Sequence, residues 1–133
     1  MPVLAAWSPR VLSLLRIAAA LCFMEHGLMK LFHFPAPQPG VPDPLPLLLI
    51  VAAWMEVVGG VLLVAGLFSR PVAFLLSGEM AVAYFMAHAP SSPYPALNMG
   101  EAAVLYCFIF LYVFFAGPGP WSLDAVFFRD RRS

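Results

Sequence analysis

The chain has 133 residues, of which 62% are hydrophobic and 11% charged, with a formal net charge of zero and a mean hydropathy of +0.89. That composition lies outside the range of soluble domains, and seven cations balanced by seven acids leave no basic patch for nucleic acid. One compact all-α membrane domain over residues 1–133 is the expectation.

The first apolar segment runs over about 11–32. Arg16 interrupts its core, and Glu25-His26 follows where a small-residue cleavage site would have to stand, so the segment reads as a retained helix rather than a cleaved signal. Pro35, Pro37, Pro39, Pro42, Pro44 and Pro46 then rule out helix and central strand and predict an extended, partly polyproline loop. A second segment, about 47–68, carries Gly59, Gly60 and Gly66, small residues that let helices approach closely. Ser69-Arg70-Pro71 is a short turn, with Pro71 in the first turn of a third segment, about 71–88, where its missing N–H matters least. A loop with Pro90, Pro93 and Pro95 leads to a fourth segment, about 98–116, which stops at Gly117-Pro118-Gly119-Pro120. Each segment is near the roughly 20 residues that cross a hydrocarbon core. A polytopic four-transmembrane-helix bundle is therefore expected.

Arg10, Arg70, Arg129, Arg131 and Arg132 fall at one set of segment ends, while the two proline loops opposite contain no Lys or Arg. Cationic loops stay on the cytoplasmic side, so both termini are expected there. Trp121, Phe127 and Phe128 read as an interfacial anchor beside an arginine cluster suited to anionic lipid.

Every apolar segment carries one glutamate: Glu25, Glu56, Glu79 and Glu101. An ionised carboxylate at the middle of a bilayer costs about 2.5–3.5 kcal/mol, which predicts that these side chains gather inside the bundle. Along ideal helices, Glu25, Glu56 and Glu79 lie roughly 10–15 Å from the outer ends, and Glu101 and His88 within roughly 5 Å. His26 and Lys30, four apart, share a face of the first helix. The expectation is a polar pocket in the outer half. Glu25, Glu56 and Glu79 would carry protons there, and His26, Lys30, Tyr84, His88, Asn98 and Glu101 would bind the ligand.

Plainer roles compete. Asn98-Met99-Gly100-Glu101 has capping-box spacing, Lys30 can reach the interface, and His33 and His88 can face headgroups. The three deep glutamates can simply hold helices together by hydrogen bonds. A carboxylate-bridged metal bundle would use Glu-x-x-His pairs, and none occurs, so no residue is assigned to a metal. Cys22 and Cys107 fit either as small buried hydrophobes or as a redox pair between the first and last helices. No flavin, haem or iron–sulfur motif is present.

From about Arg16 to Asp124 the chain resembles the DoxX family of small four-helix membrane proteins. The likeness is carried by Gly27-Leu28-Met29-Lys30, by Glu56-Val57-Val58-Gly59-Gly60 with the following leucines and Gly66, and by Ser69-Arg70-Pro71 with Met80 to His88. It continues through Asn98-Met99-Gly100-Glu101 and Gly117-Pro118-Gly119-Pro120-Trp121-Ser122-Leu123-Asp124. The resemblance implies a DoxX-like membrane domain, located in the bacterial inner (plasma) membrane. Relatives include a subunit of a thiosulfate:quinone oxidoreductase and proteins linked to quinone or thiol stress. Many have no assigned activity, and related four-helix proteins act as assembly factors.

The leading expectation is a quinone-linked redox component or accessory subunit. His26 and Lys30 would bond a headgroup carbonyl, and Glu25, Glu56 and Glu79 would relay protons. The alternative is a non-catalytic membrane scaffold or assembly factor, followed by a metal-binding bundle or a small transporter. The expected partners are the lipid bilayer and a protein partner or second copy.

Overall fold

The computed structural model describes residues 1–129, and every regular element among them is helical. The longest, α1 (Pro2–Phe32), begins at Pro2 rather than near residue 11. Pro2 sits at the first turn, where a missing N–H costs nothing, and Arg10 lies over the Trp7 ring at 5.0 Å. Its 31 residues extend about 46 Å, beyond the roughly 30 Å of hydrocarbon, so the first turns suit the interface.

The second helix, α2 (Leu47–Ala65), stops three residues short of the expected boundary. Gly66 takes a left-handed conformation (φ 72°), and its N–H returns to the Leu62 carbonyl. The next helix, α3 (Ser69–Ala83), runs into a π-helical turn, Tyr84–His88. The segment expected from residue 98 is divided. A single turn, α4 (Pro95–Asn98), is separated from α5 (Glu101–Ala116) by Met99 at φ 60°. That kink sends the Asn98 Oδ1 to the Gly100 N–H at 2.8 Å, and no side chain caps α5. The capping box is therefore not formed. The last element is α6 (Leu123–Phe127), started by Ser122, whose hydroxyl accepts from the Ala125 N–H at 3.1 Å. Arg131, Arg132 and Ser133 lie outside the described residues.

Close approaches fix how the helices run. A Cβ on Gly27 would sit 2.7 Å from the Ala53 carbonyl, and one on Gly60 would sit 2.8 Å from the Met24 Cβ. These contacts align α1 antiparallel to α2. Ser77 bonds the Cys107 carbonyl at 2.7 Å and Arg70 bonds the Phe114 carbonyl at 2.8 Å, which aligns α3 antiparallel to α5. Phe23, packed edge-on against Tyr106 and Phe110, joins α1 to α5. Phe23, Leu63, Leu76, Phe110 and Val113 make the buried centre. Both proline loops lie at one end of the molecule, and the turn after α2, the α1 start and α6 lie at the other. We call these the loop end and the termini end. Three segments are long and apolar enough to cross a membrane: α1, α2 and Ser69–His88. The apolar α5 is shorter, at 16 residues.

At the termini end, Arg16 is fully buried. Its guanidinium donates to the Leu63 and Trp121 carbonyls, each at 2.7 Å, and to the Pro118 carbonyl. Asp124 accepts from the Phe68 N–H at 2.8 Å and the Ser69 N–H at 2.9 Å, capping α3 from another part of the chain. The stretch from Gly117 to Asp124 is thus a clasp that closes this end.

Candidate functional site

The glutamates expected at one centre fall into different surroundings. Glu56 is buried in α2, at 2% exposure, and faces α1. Gly27 leaves room there for the two helices to touch, and Lys30, one turn further along α1, turns inward. Its ammonium donates to both Glu56 oxygens, at 2.8 and 2.9 Å. Lys30 therefore does not extend to the interface.

Glu79, from α3, lies within coulombic reach of Glu56 and Lys30. Both of its carboxyl oxygens are buried without a hydrogen-bond partner. Ionised, Glu79 adds a second negative charge to a site holding one ammonium. Neutral, it presents an O–H with no acceptor. Either form leaves a cost of the order of a few kcal/mol uncompensated by the protein.

Lys30 also lines a cleft of about 410 Å³ at the loop end. The first proline loop roofs it with His33, Gln38, Val41 and Asp43, and Ile50 of α2 closes one side. Gln38 Oε1 is buried and unpartnered. None of these loop residues was expected in a site. The available signal was proline density: Gln38 is held between Pro37 and Pro39, which stiffens the backbone on both sides.

Glu25 does not join this group. It is exposed on the outward face of α1, one helical step from the half-exposed His26. The expectation that Glu25 points inward is corrected. The buried face of α1 is the row Ser13, Arg16, Ala20, Phe23 and Gly27, continued by Lys30, and Glu25 falls nearly opposite it. His26 turns toward α5, with its ring 6.0 Å from the Tyr106 ring, while Nδ1 donates to the Cys22 carbonyl at 3.2 Å.

A third set holds the second proline loop. Asn98 Nδ2 donates to the Tyr84 hydroxyl at 3.1 Å and to the Ser92 carbonyl at 2.9 Å. His88 Nδ1 donates to the Asn98 carbonyl at 3.0 Å, with its ring stacked on Tyr84. The π turn makes this geometry by adding a residue to the last turn, which rotates His88 from its ideal-helix direction. Glu101 is exposed at the start of α5.

Both cysteines are free thiols: Cys22 faces outward from α1, and Cys107 lies 3.6 Å from the Ser77 hydroxyl. Among the described residues, no three His, Cys, Asp or Glu side chains are placed to hold a metal ion.

Helices of spanning length with Leu, Val and Phe facing outward around a buried ion pair define an integral membrane protein whose apolar surfaces contact the bilayer. The DoxX family model matches residues 11–89, more than half of the length, and the chain belongs to the DoxX family. An uncharacterized protein of Haemophilus influenzae is similar to it, 43% identical over 130 residues that cover 92% of this chain and 95% of that protein. No solved structure matches the chain.

Proposed function

We propose that the chain is a quinone-linked component of a redox system in the bacterial inner membrane, acting with an electron-transferring partner. The carrying observation is the unpartnered Glu79 carboxyl near the Lys30–Glu56 pair, of which Lys30 lines the cleft under the first proline loop. The cleft volume falls within the roughly 300–1,000 Å³ of small-molecule sites.

The donors and acceptors present suit a quinone headgroup. Lys30 and His33 supply N–H groups for its carbonyls, and Gln38 Oε1 is an acceptor for the hydroxyl of the quinol form. A bound quinone would supply the redox couple. The chain's own part is to orient the ring and exchange protons, with Lys30, Glu56 and Glu79 forming the inward route. Glu25 and His26, first expected to share this work, lie on another face and are left out of the relay.

The same reading carries four crossings with both termini cytoplasmic. Arg10, Arg70 and Arg129 belong to the termini end, and both loops at the other end lack Lys and Arg. The site then opens away from the cytoplasm.

The test is equilibrium binding of short-tailed ubiquinone and menaquinone analogues to protein in lipid nanodiscs. The charge-neutral pair Lys30→Met/Glu56→Leu should weaken quinone binding by about tenfold or more, since a hydrogen bond to a charged donor is worth about 1.5–3 kcal/mol, and Gln38→Ala should weaken binding of the quinol forms by less, since a neutral bond is worth about 0.5–1.5 kcal/mol. No binding by the unaltered protein, or equal binding by the variants, overturns the proposal. The scaffold reading, favoured by the outward-facing Glu25, would then take its place.

A further inference from the structure

The outward face of α1 carries a stripe at alternating four- and three-residue spacing: Val11, Leu15, Ala18, Cys22, Glu25 and Met29. The first five are exposed, with Leu15 at 40% and Val11 at 54%, and Met29 is half-buried. This is the spacing of a left-handed helix–helix seam. The small residues Ala18 and Cys22, four apart, would let two backbones come close. Lipid alone would not account for the stripe, because a glutamate in contact with hydrocarbon costs about 2.5 kcal/mol or more.

His26 stands beside Glu25 and about 1.5 Å higher along the axis. Its Nδ1 is occupied by the Cys22 carbonyl, which leaves Nε2 as an acceptor. Tyr106 of α5 flanks the same patch, edge-on to the His26 ring. An acid on the stripe and an imidazole flanking it at nearly the same height complement a copy of themselves. About a two-fold axis along the membrane normal, residue i meets j and j meets i.

We propose that a second copy of this chain docks on this face of α1, with Glu25 of each protomer hydrogen-bonded to His26 Nε2 of the other. A neutral carboxyl donating to a neutral imidazole satisfies both groups and puts no net charge against lipid. Ala18 and Cys22 lie next to the axis, so the two Cys22 thiols face each other. The inference does not rest on quinone binding: Cys22 and Glu25 do not line the cleft under the proline loop, and the stripe meets it only at Met29.

Copper-phenanthroline oxidation of native membranes tests it, using protein whose only thiol is Cys22, through Cys107→Ser. The expected product is a disulfide-linked dimer of this chain. A control with Cys22→Ser, Cys107→Ser and Leu105→Cys places the sole thiol on the exposed face of α5 and should cross-link about tenfold less. Glu25→Leu should lower the Cys22 yield about tenfold by removing the donor to His26 Nε2, whereas Glu25→Gln, whose amide N–H can donate to the same nitrogen, should retain most of it. Monomer only, an adduct with a different protein, equal yield from the Leu105 control, or an equal yield from Glu25→Leu and Glu25→Gln would each overturn the proposal.

Discussion

Lys30 and Glu56 form a two-pronged ion pair across the α1–α2 seam, at 2.8 and 2.9 Å, at the height where Gly27 lets the helices touch. The pair neutralises itself, so the neighbouring carboxyl, Glu79, has no cation of its own. One short contact thus divides the buried polar groups into a satisfied pair and an unsatisfied acid.

Breaking that pair from one side should be far worse than removing it whole. Lys30→Met leaves a buried carboxylate uncompensated and should cost about 3–5 kcal/mol, whereas Lys30→Met/Glu56→Leu should recover most of the loss. Thermal unfolding in detergent of the two single variants and the double variant checks this as a mutant cycle.

Glu79 should behave in the opposite way. Because its oxygens bond nothing in the protein, Glu79→Leu should raise stability by about 1 kcal/mol or more while abolishing any quinone-coupled proton exchange. Unfolding temperature and quinone binding, measured on one preparation, should move apart. A destabilised Glu79→Leu variant would show that the carboxyl already has a structural partner.

The clasp at the termini end makes a separate prediction. Asp124→Ala removes the acceptor for the Phe68 and Ser69 N–H groups and should cost about 0.5–2 kcal/mol, with Asp124→Asn losing less. Arg16→Met should be more severe, because it leaves the Leu63, Pro118 and Trp121 carbonyls without their donor. Limited proteolysis after Trp121 should report release of the clasp in both cases.

The proposed sidedness, with both termini cytoplasmic, makes a further prediction. In a cysteine-free background, Ser92→Cys in the second proline loop should react with a membrane-impermeant maleimide from outside, and Ser8→Cys only after the cells are opened. Labelling of both from one side would contradict the four-crossing arrangement.

The sequence by itself determined where the apolar segments lie and what interrupts them, because hydropathy and proline act locally and add along the chain. It placed the two proline loops at one end and the arginines at the other. It also singled out Glu56 and Lys30. It did not separate Glu25 from Glu56. A soluble helix shows its inner face by alternating with polar residues, but a helix among lipids is apolar all round, so periodicity carries no direction. Only packing decided that Gly27 faces α2, which turns Lys30 and Glu56 inward and leaves Glu25 on the outside. Arg16 and Asp124 were equally illegible, since their partners are backbone groups 47 or more residues away, brought near only when the last loop folds back. The left-handed Met99 undid the capping box for the same reason: a backbone conformation chosen by the loop around Asn98 overrode the local spacing.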